Sequence, residues 1–554
     1  MYVRFFHNSV HRLLTDTMLA RVTIDMVPDV ALLEIFDFYL DSGYDDNLYP
    51  YYDPNLRVKF IAWCTLVRVC RTWRSIVFGS PLRLKLQLYC VPHRTSVRKT
   101  IVAWPAFPIV VEGNCSEIRD DEKWVDNIVA VFEHSARICR LNLLEIRSWQ
   151  LEKVSAVMQQ PFPALTRLSL YCKDETALVV PESFWGGSAP QLQFLSLERI
   201  PFPGLPKLLL SATRLVELFL SDIPHSGYIP PEAMVPCLSV LIRLETLHVG
   251  FKSPQSRPNQ NSRRPPPPTR PILPVLTRLE LKGVSEYLED LVSRIDTPLL
   301  NLLDITFFHQ LIFDTPQLTQ FISRTPNFMT PDEVDGVYLE FSNGIARVSI
   351  RSPFELSLRM SCRPSDWQLL FLTQMCNLSF LQRLIPAVEH LYIQDLPIHS
   401  VSEPPWQDDI EGSQWLDLLR PFTAVNNLYI SKKFVPRIAP ALQELVGERA
   451  TEALPALRTL FLREKLSSGP VQEAIEQFVA ARQLSSHPIA VSQWEGGRKY
   501  YEYSYETDEE EDKSPYETDE EEGGSSYETD EEEDGSSYET DEEEDEFLYE
   551  IDDD

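Results

Sequence analysis

The sequence predicts an α/β chain in three parts: a small helical module, a solenoid of repeated strand-and-return units, and an acidic tail. The strands of the solenoid are expected to run parallel and to line one concave face of a horseshoe or arc. Three observations carry this expectation. A short apolar hexamer recurs through the middle of the chain, amphipathic helical stretches precede it, and one motif repeats at a fixed interval near the C-terminus.

The hexamer is apolar-x-x-apolar-x-apolar. It stands as ICRLNL at 138, LTRLSL at 165, LQFLSL at 192, LVELFL at 215, LETLHV at 244 and LTRLEL at 276. It continues as LNLLDI at 300, IARVSI at 345, VEHLYI at 388, VNNLYI at 425 and LRTLFL at 457. Many copies follow a proline, as in FPALTRL and LPALRTL. The pattern matches the strand of a leucine-rich repeat, the remainder of each unit returning as helix or loop. No such unit can bury its own apolar face, so neighbours must stack. The Asn expected after the second apolar pair is missing. The wider intervals after residue 300 predict larger units or inserted helices, with 314–326 and 436–450 as candidates.

Ahead of the repeats, Pro28 opens PDVALLEIFDFYL. Proline suits the first helical position, and Asp29 suits the positive end of the helix dipole. Leu32, Ile35, Phe36, Tyr39 and Leu40 share one face at i, i+3, i+4 spacing. A second stretch, RVKFIAWCTLVRVCRTWRSIVFGSP, keeps helical spacing through Trp63, Leu66, Val67, Cys70, Trp73 and Val77. A break is expected near Val69, and an end at Gly79 and Pro81.

The tail repeats SYETDEEED-like units with tyrosines at 505, 516, 527, 538 and 549. From 505 to 554 it holds 28 acids and one lysine. The whole chain holds 82 acidic and 51 basic residues, so 54 and 50 precede the tail, a net of −4. Self-repulsion without burial predicts a disordered tail. The near-neutral body excludes general nucleic-acid binding, which needs a basic footprint.

Nine cysteines at irregular spacing predict reduced thiols, in a cytoplasmic or nuclear protein, over a disulfide framework. No window has the ~18 apolar residues of a membrane span. Residues 1–23 read as a flexible leader. The proline run at 254–271 reads as a disordered loop between repeats, the alternative being a ligand for a proline-recognition domain. No phosphate loop, nucleophile elbow or zinc motif is present, so neither catalysis nor a cofactor or metal is expected.

The two helical stretches resemble an F-box, which has Leu-Pro, then xxxLLxxIF, then Cys-x-x-Trp in its last helix. Here VPDVALLEIFDFYL and CRTW carry the likeness, with Val27 in the Leu place. Stretches such as FGSPLRLKLQLYC and FVPRIAPALQELVGERATEALPALRTLFL resemble the F-box and leucine-rich-repeat families of mushroom-forming fungi. The resemblance implies an F-box-like domain over 24–88, a repeat solenoid over 89–495 and the tail over 496–554. It implies a non-enzymatic substrate receptor of an SCF-type (cullin-RING) ubiquitin ligase, docking on a Skp-type adaptor and holding a protein target. Val27, Pro28, Leu32, Ile35, Phe36, Cys70 and Trp73 would form the adaptor face or its supporting core. The other reading is an interaction protein outside any ligase, its tail engaging basic partners such as histones.

Alternation along each strand nominates the target-facing residues. Between the last two apolar positions stand Asn142, Ser169, Ser196, Phe219, His248, Glu280, Asp304, Ser349, Tyr392, Tyr429 and Phe461. Just before the second apolar position stand Arg140, Arg167, Arg278 and Arg347. Aromatics and arginine are favoured interface anchors, so Arg140, Arg167, Phe219, His248, Arg278, Arg347, Tyr392, Tyr429 and Phe461 are the target-binding candidates. Thr507, Thr518, Thr529 and Thr540 each precede Asp-Glu-Glu and resemble sites of an acidophilic kinase.

Overall fold

A computed structural model describes residues 27–41, 54–92, 97–115, 121–174, 179–254, 269–308, 315–329, 334–342, 344–361, 365–395, 412–463 and 469–494. The chain divides into two units, Met1–Gly497 and Arg498–Asp554, and every described residue belongs to the first. The leader, the proline run apart from its ends, and the tail with its four threonines lie outside the described residues.

The three apolar residues of each hexamer turn to one side of the backbone and must find cover. In LTRLSL, for example, Leu165, Leu168 and Leu170 are all buried. Stacking the units gives one 16-stranded sheet. Its strands are β1 (Leu88–Cys90), β2 (Ile109–Asn114), β3 (Ile138–Ile146), β4 (Arg167–Cys172), β5 (Phe194–Glu198), β6 (Glu217–Ile223), β7 (Thr246–Phe251) and β8 (Arg278–Gly283). Then come β9 (Leu302–Phe308), β10 (Gly336–Ser342), β11 (Ile345–Arg351), β12 (Glu355–Ser361), β13 (His390–Asp395), β14 (Asn427–Ile430), β15 (Thr459–Leu462) and β16 (Ala490–Gln493). Return segments, among them helices Ser148–Val157, Leu205–Ser211 and Pro231–Val240, share one apolar core with the sheet. The expected helices are present as Pro316–Arg324 and Val435–Gln443. The architecture is thus a mixed α/β solenoid of leucine-rich-repeat type.

Ten of the eleven hexamers become parallel strands in register with their neighbours. IARVSI departs from expectation. It forms β11, which runs antiparallel to both β10 and β12, and the sheet order there is β9-β12-β11-β10-β13. After β9 the chain skips two places, lays down β10, and returns through β11 to β12 beside β9. The wide intervals after residue 300 therefore reflect a three-strand meander spliced into the stack, as well as larger units. IARVSI alternates like its siblings, and alternation carries no strand direction.

A buried ion network crosses the splice. Glu340 on β10 is fully buried, and Arg347 on β11 is 8% exposed. The Arg347 guanidinium donates to Glu340 at 3.1 Å, to Glu355 at 2.9 Å and to the Ser357 hydroxyl at 2.9 Å. Gln394 on β13 donates to the other Glu340 oxygen at 2.9 Å. One guanidinium so ties three strands of the meander together.

The N-terminal helices are α1 (Asp29–Asp41), α2 (Pro54–Val69) and α3 (Arg71–Gly79). The expected break near Val69 is there. Cys70 adopts extended backbone, and its thiol accepts a hydrogen bond from the Trp73 N–H at 3.4 Å, capping α3. Leu32, Leu33 and Phe36 of α1 and Trp63, Leu66 and Val67 of α2 join the same core as β1. Trp63 donates its indole N–H to the Gln87 carbonyl at 3.2 Å and packs edge-on against Trp104 and Phe107. The module therefore seals the first end of the solenoid.

Removing one partner of a buried ion pair strands the other, at a typical cost of roughly 3–5 kcal/mol. Arg347→Met should lower the unfolding free energy by about that amount in urea titration, and adding Glu340→Gln should recover part of it. A loss under about 1 kcal/mol would mean the pair is solvated.

Candidate interaction surfaces

Because strands repeat at about 4.8 Å and stay in register, side chains at equivalent positions form rows across the helix-free face of the sheet. The middle row contains every residue expected between the last two apolar positions. It runs Asn142, Ser169, Ser196, Phe219, His248, Glu280, Asp304. It continues through Ser357, Ser349, Tyr338, Tyr392, Tyr429, Phe461 and Ser492. Even the reversed strand keeps Ser349 in line.

Over β4 to β8 the face is a chain of rings closed by charges. The Arg167 guanidinium lies 4.3 Å above Phe194. Phe194 meets Phe219 at 5.6 Å, and Phe219 meets His248 at 6.2 Å. His248 Nδ1 is 2.7 Å from Glu280, which also pairs with Arg278. Burial alone would raise the Glu280 carboxyl, but the His248 hydrogen bond and the Arg278 charge outweigh it and hold it at about 2.

The next strands carry mostly compensated charge. Lys282 contacts Asp222 at 2.6 Å, and Arg359 contacts Asp304 at 2.6 Å. Burial raises the Asp304 carboxyl even so. Arg347 belongs here, in the network described above, and this corrects its nomination as a target-reading residue. On a reversed strand the residue before the second apolar position moves to the opposite outer row, and it is Arg351 that takes the row of Arg278 through Leu302 and Glu355.

From β10 to β15 the middle row becomes a ladder of stacked rings. Tyr338 and Tyr392 lie 4.5 Å apart at 7°, Tyr392 and Tyr429 4.3 Å apart at 12°, and Tyr429 and Phe461 4.5 Å apart at 6°. Arg351 covers the outer face of Tyr338 at 4.3 Å. Trp494 stands nearly edge-on to Tyr429 at 5.4 Å. With their faces against each other, the inner rings offer edges and hydroxyls to a ligand. That suits protein contacts better than a base or sugar platform, which needs free faces.

The nominated residues thus fall into two groups, Arg167, Phe219, His248 and Arg278 in one, Tyr392, Tyr429 and Phe461 in the other. Arg140 lies beside Arg167 in register, outside both. Sequence reasoning missed Phe194, Tyr338, Arg351 and Trp494. Phe194 holds the place of Arg167 in its own hexamer, so its signal was present. Tyr338 stands between the last two apolar positions of VDGVYL at 334, which keeps the hexamer spacing, so its signal was present too; Trp494 follows directly after β16, which lacks the hexamer.

The second surface is the outer side of the helical module. Of the nominated adaptor residues, Pro28 and Ile35 are exposed, Val27, Cys70 and Trp73 are half-buried, and Leu32 and Phe36 are core. Trp73 packs at a tilt against Phe36, with ring centroids 4.7 Å apart, so Cys-x-x-Trp links α3 to α1 within the module. Outward, α1 exposes Val30 (64%), Ile35 (55%), Phe38 (71%) and Tyr39 (47%). Ile61 and Val69 of α2 are also exposed.

Among the described residues no group of three or more His, Cys, Asp or Glu is placed to hold a metal ion. Eight cysteines there are free thiols. Burial pushes those of Cys64, Cys90 and Cys376 up to about 12 and that of Cys139 to about 11, leaving them unreactive. No described helix is long and apolar enough to cross a membrane.

No family model matches the chain, and no curated protein matches it in sequence. Among solved structures, the leucine-rich repeat-containing protein LegL7 of Legionella pneumophila aligns over 71% of this chain and 97% of its own, at 12% identity and a TM-score of 0.22. The repeat assignment made above rests on the strand register alone.

The Glu280 carboxyl ionises lower in the fold than in the unfolded chain, so it stabilises the fold above pH ~4.3 and ceases to as pH falls toward about 2. Glu280→Gln should therefore be less stable than the wild type at pH 7, by at most on the order of 3 kcal/mol. Urea midpoints should show the gap narrowing progressively as pH falls from about 5 toward 2. A gap independent of pH would contradict the ion-pair account.

Proposed function

We propose that the chain is the substrate receptor of an SCF-type ubiquitin ligase, its helical module docking on a Skp-type adaptor and its sheet face holding a protein target. In this reading the chain performs no chemistry itself and acts by bringing a target to the ligase.

The observation that carries the proposal is the contrast between the two terminal helices of the solenoid. The last helix, Pro470–Leu484, buries Ala474, Ile475 and Phe478 and turns Glu473, Glu476, Gln477 and Gln483 outward, with the single large apolar side chain exposed on it being Leu484 at its very end. That is how a capping element meets water. Helix α1 buries Leu32, Leu33 and Phe36 and still turns Ile35, Phe38 and Tyr39 outward at i, i+3, i+4 spacing. A cap has no use for a second apolar stripe, whereas a helix bound in a partner's groove does. The resemblance of this stretch to an F-box names the partner. The target-holding half is supported by the composition of the face, where Tyr, Phe, Trp and Arg are concentrated as at interface hot spots.

Co-expression of the full chain with a Skp-type adaptor tests the reading, and the wild type should co-purify with it. Leu32 is core, so truncating it would confuse folding with binding. Ile35→Asp with Phe38→Asp changes exposed positions only. It should weaken the complex by about 100-fold, each lost apolar contact being worth roughly 1–3 kcal/mol, at an unchanged thermal midpoint. Wild type that fails to co-purify would leave the interaction protein outside any ligase as the surviving reading.

A further inference from the structure

The two ends of the sheet are finished differently. At β1 the residues Leu88, Tyr89 and Cys90 are buried, and α2 and the helix Val97–Ala103 close over them. At the other end β16 pairs with β15, and among the described residues no strand lies beyond it. Ala490 and Gln493 are exposed, and Val491 is 47% exposed.

The direction of the free backbone groups follows from the bonds already made. Ala490 N–H donates to the Arg458 carbonyl at 2.8 Å, and Trp494 N–H to the Leu462 carbonyl at 2.9 Å. Residues 490, 492 and 494 therefore address β15. Alternation turns the N–H and C=O of Val491 and Gln493 the other way, off the end of the sheet. Apart from Leu484 at its end, the last helix covers its own layer with a polar face, and among the described residues the strand edge is left unpaired.

The aromatic ladder ends at the same place and ends asymmetrically. Its first ring, Tyr338, is closed by the Arg351 guanidinium. Its last ring, Phe461, is followed in the row by Ser492, whose side chain is too small to cover it. In sequence, the stretch that follows β16 is one-sided in charge, residues 505–554 carrying 28 acids and one lysine.

We propose that the β16 edge takes up an extended, arginine-bearing segment of a partner protein as a further parallel or antiparallel strand. The outward groups of Val491 and Gln493 would pair with its backbone. An arginine in the row of Ser492 is long enough to cross the serine and lay its guanidinium on Phe461, repeating at this end what Arg351 does at the other. The acidic sequence that follows favours a cationic segment and disfavours a second copy of this chain, which brings the same charge. The site goes beyond the receptor reading and stands whether or not the adaptor binds.

The test uses the full chain and a labelled synthetic peptide of alternating arginine and valine, followed by fluorescence anisotropy. Its control is the same peptide with N-methylated backbone amides, which keeps side chains and charge but cannot pair as a strand. Wild type should bind the probe at least about tenfold tighter than the control. Val491→Pro removes one outward N–H and leaves the bonds to β15 in place, as proline is tolerated on an edge. It should bind the probe no better than the control, at an unchanged thermal midpoint, and Gln493→Pro serves if that midpoint moves. Ser492→Phe should reduce the preference for arginine over threonine in the probe to the part that salt removes. Salt should weaken probe and control alike, because long-range attraction is screened while the paired backbone is not. Equal binding of the two peptides would reduce the effect to attraction between polycation and polyanion and overturn the proposal, as would Val491→Pro binding like the wild type.

Discussion

The whole arrangement depends on one constraint: every strand must pair its backbone in register with the strand of the next unit. A single unit has one apolar face and two unpaired edges, and stacking removes both defects at once. Once the register is fixed, side chains separated by thirty or more residues become neighbours at the strand spacing. Tyr392 and Tyr429 stack at 4.3 Å for that reason and no local one. The same geometry forces charges of one row to alternate or to be compensated. His248, Glu280 and Arg278, and Asp304 with Arg359, meet that requirement.

The splice at β10 to β12 shows what the constraint tolerates. Direction is not conserved there, since β11 runs against its neighbours, but register and row are. A reversed strand still presents alternate residues to the same face, so Ser349 keeps the middle row. Its outer positions exchange places, which brings Arg347 beside Glu340 and puts both under cover. A buried arginine flanked by two glutamates and a serine hydroxyl satisfies its donors on both sides of the strand. The meander is thus stitched into the stack by the residues that a parallel strand would have turned elsewhere.

This explains which parts of the fold and of its surfaces were legible in the sequence. The hexamers gave strand positions because three apolar residues at fixed spacing are a demand for burial, and burial is visible in one dimension. The middle row followed, because alternation is a local rule. Strand direction is not local, and Arg347 was misplaced for that reason. Strands β1, β2, β12 and β16 lack the hexamer, being covered on both faces, part of the meander, or at the edge, whereas β10 carries it as VDGVYL at 334. Trp494 was lost with them; Tyr338 was legible, standing between the last two apolar positions of VDGVYL. In the helical module the spacing of Leu32, Ile35 and Phe36 announced an amphipathic helix correctly, but not that Ile35 would stand outside while its neighbours went in. A helix with apolar residues on two sides has no single periodicity to read.

The division of labour on the sheet face follows from the same physics. Partly buried ion pairs on β8 to β12 are compensated within the chain, so a partner that touched them would have to replace contacts already made, for little gain. The ring clusters to either side present apolar edges, hydroxyls and an indole, whose contact with a partner removes surface from water without breaking an internal pair. Recognition on this face is therefore expected to come from the aromatics, with the charged belt between them setting distance and orientation. The ladder also stiffens the last four units, because shifting one strand by a residue would move its ring to the core side and break the stacks on both flanks. A surface that must offer several anchors at fixed spacing needs that rigidity, and here the anchors themselves provide it.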